Sequence, residues 1–123
     1  MSQFSVGQVW KYKTRPNETN SRITICGIDA EDEEYGDIVH IYISDVDIPN
    51  AEAPDGKTLF IGHMPYQGES LAESVTDLEY IADSLPDYED GYNLWKEAFE
   101  DSEAGVFTVA VSEAIDFVQK SIG

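Results

Sequence analysis

Apolar residues recur at every second position through the first half of the chain and at every third or fourth through the second. This change of period constrains the fold more than any other feature, because alternation is the mark of a strand with one buried face and the longer spacing that of an amphipathic helix. From Asp37 to Ile48 the alternation is clearest: Val39, Ile41 and Ile43 fall on one face, His40, Tyr42 and Ser44 on the other. Gln8 to Thr14 alternates as well, with Val9, Lys11 and Lys13 opposite Trp10, Tyr12 and Thr14. Arg22 to Ile28 is rich in β-branched residues and reads as a strand that stops at the acidic run over residues 29–37. A short fourth strand is read around Leu59, Phe60 and Ile61, after a loop over residues 49–56. The short, turn-rich links favour an antiparallel meander over parallel βαβ units.

Beyond residue 69 the period lengthens. Ser70 and Glu73 fit a capping box, and Leu71, Val75, Leu78, Ala82 and Leu85 follow at helical spacing until Pro86, which predicts one helix across this stretch. Asp87 then caps a second helix, on which Tyr88, Tyr92, Trp95 and Phe99 share a face. An aromatic stripe of this kind is read as core that holds the helix to the sheet, in preference to a ligand cage. Gly105 ends that helix, Val106 to Val109 reads as one more short strand, and a last helix begins near Ser112 with Ala114, Ile115, Val118 and Ile122 facing inward. The reading is a single α+β domain over residues 1–123: an N-terminal antiparallel sheet of three to five strands (strand-rich over 5–62), packed by about three C-terminal helices (helix-rich over 69–122).

Charge limits the function. The 123 residues hold 25 Asp and Glu against 7 Lys and Arg, a net charge of −18. Coulomb repulsion disfavours direct binding to nucleic-acid phosphates or to anionic lipid, whereas a basic partner is steered inward. The imbalance is uneven: residues 1–30 carry +2 and the remainder −20. Lys11, Lys13 and Arg15, two residues apart along the first strand, therefore make its candidate binding surface, together with Tyr12. Such a row of like charges requires an answer, from neighbouring carboxylates or from a bound anion.

His40 and His63 are the chain's two histidines, and both are candidate binding residues: His40 on the face opposite the aliphatic one, His63 in a loop. No CxxC, HxH or HExxH occurs, so no metal site is expected. Asp45 to Asp47 and Asp87 to Gly91 resemble fragments of a calcium loop, and neither completes the twelve-residue pattern. There is no GxSxG, GxGxxG or GxxxxGK[ST], and hence no expected catalytic residue or cofactor. Cys26, the one cysteine, lies in an apolar run and reads as a small buried thiol. No segment approaches signal-peptide or membrane-spanning length, which points to the cytoplasm and away from a membrane.

The opening stretch Gly7 to Glu18 (GQVWKYKTRPNE) resembles the start of a family of small bacterial proteins with a GQVWxYKTRPxE-like beginning. Ile38 to Ile41, His63 to Pro65, Ser70 to Leu78, Gly91 to Lys96, Ala98-Phe99 and Ala104 to Phe107 are similar to that group as well. The resemblance implies a shared fold and brings no activity with it. Together these features point to a non-catalytic acidic binding module of the bacterial cytoplasm, of inhibitor or immunity type, with a basic protein as partner. Mimicry of DNA is a variant of that reading. The alternative is a small enzyme or ligand-binding protein that holds an anion on Lys11, Lys13 and Arg15, with Tyr12, His40 or His63 beside it.

Overall fold

The structure is a computed structural model that describes residues 4–53 and 56–122, so Pro54 and Asp55 of the expected loop lie outside the described residues. Five strands and three helices follow in the order β1 (Gln8–Tyr12), β2 (Arg22–Asp32), β3 (Gly36–Pro49), β4 (Lys57–Gln67), α1 (Gly68–Ser74), β5 (Val75–Ile81), α2 (Glu89–Glu100) and α3 (Val111–Ile122). The strands form one antiparallel sheet in the order β4-β3-β2-β1-β5. The expected α+β class is observed, with the sheet largely N-terminal and the helices largely C-terminal.

The two faces of the sheet have different covers. Val39, Ile41 and Ile43 of β3 join Tyr12, Ile23, Ile25, Met64 and Tyr66 in the main core, which Leu71 of α1 and Val111, Ala114 and Ile115 of α3 close. Burying these aliphatic side chains, at roughly 1.5–3 kcal/mol each, is the main source of stability on this side. His40 projects from the opposite face, where the rings of Tyr92 and Trp95 on α2 lie 4.7 and 4.8 Å from its own. The segment between α2 and α3 passes around the outer edge of β4. There Phe107 pairs with Tyr66, its N–H donating to the Pro65 carbonyl and its carbonyl accepting from the Gln67 N–H.

Four expectations change. The helix read across Ser70 to Leu85 is one short helix followed by a strand: α1 stops at Ser74, and Val75 to Ile81 pairs with β1. The open edge of β1 outweighs the local helical spacing, aided by the β-branched Val75 and Thr76. Ser70 is not a cap but lies inside α1, its hydroxyl donating to Gln67 Oε1 and to the Thr108 carbonyl. The Val106 to Val109 strand is reduced to the single bridge at Phe107. β2 also runs past the expected stop into the acidic stretch and ends in a tight turn, where Asp32 Oδ2 accepts from the Glu34 and Tyr35 N–H groups. Ala114 and Ile115 face inward as read, while the Ile122 side chain lies outside the described residues.

One ion-pair knot ties the first loop to the rest. Glu18 is buried and accepts from Arg15 Nε and Nη2 at 2.8 and 2.6 Å and from the Asp47 N–H at 2.7 Å. The same guanidinium reaches Asp116 and Gln119 of α3. Removing one partner of a buried pair leaves the other charge unanswered. Glu18→Ala is therefore expected to lower unfolding free energy in urea by about 3 kcal/mol. Breaking the exposed Lys57–Asp47 pair with Lys57→Ala is expected to change it by no more than about 0.5 kcal/mol.

Candidate functional site

The structure scatters the cationic candidates and brings the two histidines together. Strand β1 ends at Tyr12, so Arg15 leaves the row with Lys11 and Lys13 and turns into the Glu18 knot. Lys11 stands 3.8 Å from Glu79, which also binds Arg22 at 3.0 Å. Lys13 Nζ donates to the Glu73 carbonyl. Tyr12 is buried, its hydroxyl bonded to Ser21 Oγ at 2.7 Å, and burial pushes its pKa up to about 12. The row is thus answered from within the fold, mostly by carboxylates. Burial likewise pushes the Cys26 thiol up to about 12, too high for a nucleophile at neutral pH.

Strand β4 is longer than its sequence suggested, and this places His63 beside His40. A register that pairs Pro65 with His40 carries His63 onto the same face. Strand β2 contributes Asp29, because a bulge between Ile25 and Gly27 sets the downstream alternation so that Asp29 faces the histidines. The result is a chain of short hydrogen bonds: Asp29 Oδ2 to His40 Nε2 at 2.9 Å, and His40 Nδ1 to His63 Nε2 at 2.8 Å. The Tyr92 hydroxyl donates to Asp29 at 3.2 Å, and Lys96 Nζ stands 3.8 Å from the same carboxylate. Gly91 lets the α2 backbone press against His63, since a Cβ there would lie 2.8 Å from His63 Cβ.

Chemistry fixes the protons along this chain. Burial works to raise the Asp29 pKa, but the His40 and Tyr92 hydrogen bonds and the Lys96 charge outweigh it, and the carboxyl is held below its usual range. An ionised carboxylate only accepts, so His40 Nε2 carries a proton and its neutral ring accepts at Nδ1. His63 then donates from Nε2 and keeps a lone pair on Nδ1, which has no hydrogen-bond partner among the described residues. Burial lowers the pKa of His40 against the pull of Asp29, and burial with the neighbouring ring lowers that of His63 to about 4. Among the described residues no group of three or more His, Cys, Asp and Glu is arranged to hold a metal ion.

The same face brings two acidic runs together. Asp29, Asp32 and Ile38 share with Trp95, Lys96, Phe99 and Glu100 a groove of about 240 Å³. The Tyr35 ring of the β2–β3 turn lies 6.3 Å from that of Phe99, so the turn leans on α2. Glu31, Glu33 and Glu34 of the turn, Glu97 of α2 and Asp101 and Glu103 just after it are exposed as well. The last turn of α2 holds no basic residue. Carboxylates at a helix C-terminus oppose its dipole, at a cost of about 0.3–1 kcal/mol each.

Sequence reading placed His40 on the correct face and treated the aromatic stripe as packing. No residue of α2 is fully buried, yet Tyr92 and Trp95 do pack the helix onto the sheet, through the histidines. Asp29 and Lys96 were missed. The available signal was the alternation carried past Cys26 with one residue of slip, which no single stretch of sequence specifies.

No described helix is long and apolar enough to cross a membrane. Comparison with protein-family models, with curated proteins and with solved structures found no match.

The histidine chain gives a pH dependence of defined sign. With both imidazoles held below their ordinary pKa of about 6.5, the folded protein binds fewer protons than the unfolded chain as pH falls. This contribution is complete above about pH 6.5 and is lost progressively toward about 4. His63→Gln is expected to be less stable than wild type at pH 7 and to lose less stability across that window. Equal slopes for the two proteins in urea unfolding would contradict the assignment.

Proposed function

We propose that the protein is a non-catalytic acidic binding module of the bacterial cytoplasm, acting in the manner of an inhibitor or immunity protein on a basic partner. The observation that carries this reading is the groove between the β2–β3 turn and α2. Like charges are gathered there at a cost to the helix that bears them, and Lys96, the cation lining it, is already engaged by Asp29. A lysine- or arginine-rich surface answers those carboxylates and meets Trp95 and Phe99 at the groove wall, where a cation stacks on an aromatic face. Long-range attraction from a net charge of −18 also speeds encounter. The alternative reading, an anionic ligand on Lys11, Lys13 and Arg15, draws no support from the geometry, because these side chains diverge and are engaged within the fold.

The test begins with proteins retained from lysate at low salt and shed at high salt, identified by mass spectrometry and then purified. Neutralising Glu33, Glu34, Glu97 and Glu100 to Gln is expected to slow association with the retained basic protein by about tenfold or more at low salt. Wild-type affinity is expected to fall steadily as salt rises. An affinity that ignores salt, or a neutralised variant that binds as fast as wild type, would sink the proposal. A nucleic-acid-binding partner displaced by duplex DNA would identify the DNA-mimic variant of it.

A further inference from the structure

The two edges of the sheet are finished differently. The outer edge of β4 is capped near Pro65 to Gln67 by the backbone of Phe107. Strand β5 is the opposite edge strand, and among the described residues no backbone group bonds to its outer side. Natural sheets guard such edges with proline, charged side chains (lysine above all), bulges, extreme shortness or a covering loop. Over its seven residues β5 has neither proline nor lysine, and its guards are the charged Asp77 and Glu79 and two register shifts against β1. It exposes apolar side chains instead: Leu78, Tyr80 and Ile81 are 45, 54 and 58 % accessible. Behind it a groove of about 560 Å³ opens over the sheet, lined by Val9, Arg22, Tyr42, Glu79, Tyr80 and Leu85 among others.

Charge decides which occupant fits. Two copies of this chain pairing antiparallel about Leu78 would set Asp77 against Glu79 twice, and like charges directly opposite destabilise a strand pair. A net charge of −18 on each copy adds long-range repulsion. Glu79 is already held by Arg22 and Lys11, while Asp77 has no ion-pair partner among the described residues. The register shift between Val9 and Trp10 turns Leu78 and Tyr80 to opposite faces, so an incoming strand that alternates apolar and basic residues would place apolar side chains beside Leu78 on one face and cations beside Asp77 and Tyr80 on the other.

We propose that the outer edge of β5 is a docking site for an extended, lysine- or arginine-bearing segment of another protein, which adds to the sheet as a sixth strand. Backbone hydrogen bonds supply the affinity and the alternating side chains the selectivity. This edge is separate from the acidic groove beside α2, and the proposal stands whether or not that groove binds.

The probe is a blocked synthetic peptide of about eight residues alternating valine and lysine, long enough to span β5. Its control is the same peptide with every second backbone amide methylated, which keeps the charge and removes the donors of one edge. On the full-length protein, the unmethylated peptide is expected to slow amide exchange over residues 75–81 by about tenfold or more, and methylation to weaken binding by about tenfold. Replacing Leu78 and Tyr80 together by Lys, two exposed positions, is expected to weaken it by a similar factor.

Equal binding of the methylated peptide, or no binding of either, would overturn the proposal. Protection confined to residues 29–37 and 89–103 would overturn the edge site while leaving the acidic groove in place. Protection of 75–81 that grows with protein concentration and needs no peptide would replace the basic segment with a second copy.

Discussion

Repulsion among 25 carboxylates with only 7 lysines and arginines to answer them is the constraint around which the structure is arranged. Five of those seven cations serve as clasps between elements distant in sequence. Arg15 joins the first loop to β3 and α3, Arg22 and Lys11 hold β5 through Glu79, and Lys96 helps hold α2 over Asp29. The remaining acids are pushed to the surface, where water and counterions screen them. Many of them lie in the β2–β3 turn and around the end of α2.

The same economy shapes the back of the sheet. The main core fills the front face mostly with apolar side chains, and the Arg15–Glu18 knot ties α3 to that side. On the back, α2 is held by a smaller and more polar contact: the Asp29–His40–His63 chain, Tyr92, Trp95 and the close approach at Gly91. Burial disfavours charge on both imidazoles, and two protonated rings cannot share the His40–His63 hydrogen bond, so this contact is sensitive to protons in a way the front core is not. The two features meet on α2, whose inner side grips the histidines and whose outer end carries acids.

Much of this was legible in the sequence, for physical reasons. A strand or helix with one buried face leaves a periodic record, and β3 and α3 were read close to where they occur, while β1 and α2 were read as the right elements but too long, to Thr14 and Gly105 where they end at Tyr12 and Glu100. Strand β5 left none, because it lies at an edge with nearly every side chain exposed, and burial selects no alternation there. Its residues instead happened to match a helical spacing. His63 looked like a loop residue because Gly62 and Pro65 flank it, yet β4 tolerates Pro65 as an edge strand. The meeting of His40, His63 and Asp29 depends on a bulge and a cross-strand register, which are properties of pairs of strands. The charge imbalance was plain from composition, but its concentration beside α2 required the fold.

The most direct measurement is the thermal midpoint of the isolated protein as sodium chloride rises from about 0.01 M to about 0.15 M, where the Debye length falls from roughly 30 Å to roughly 8 Å. Unanswered carboxylates repel over such distances, whereas the close ion pairs that clasp the fold are screened less. The expected result is a midpoint that climbs steadily with salt, as repulsion along the acidic surface is relieved. A midpoint that falls, or does not move, would mean that the carboxylates are already answered within the fold, and that no strain is left for a basic partner to relieve.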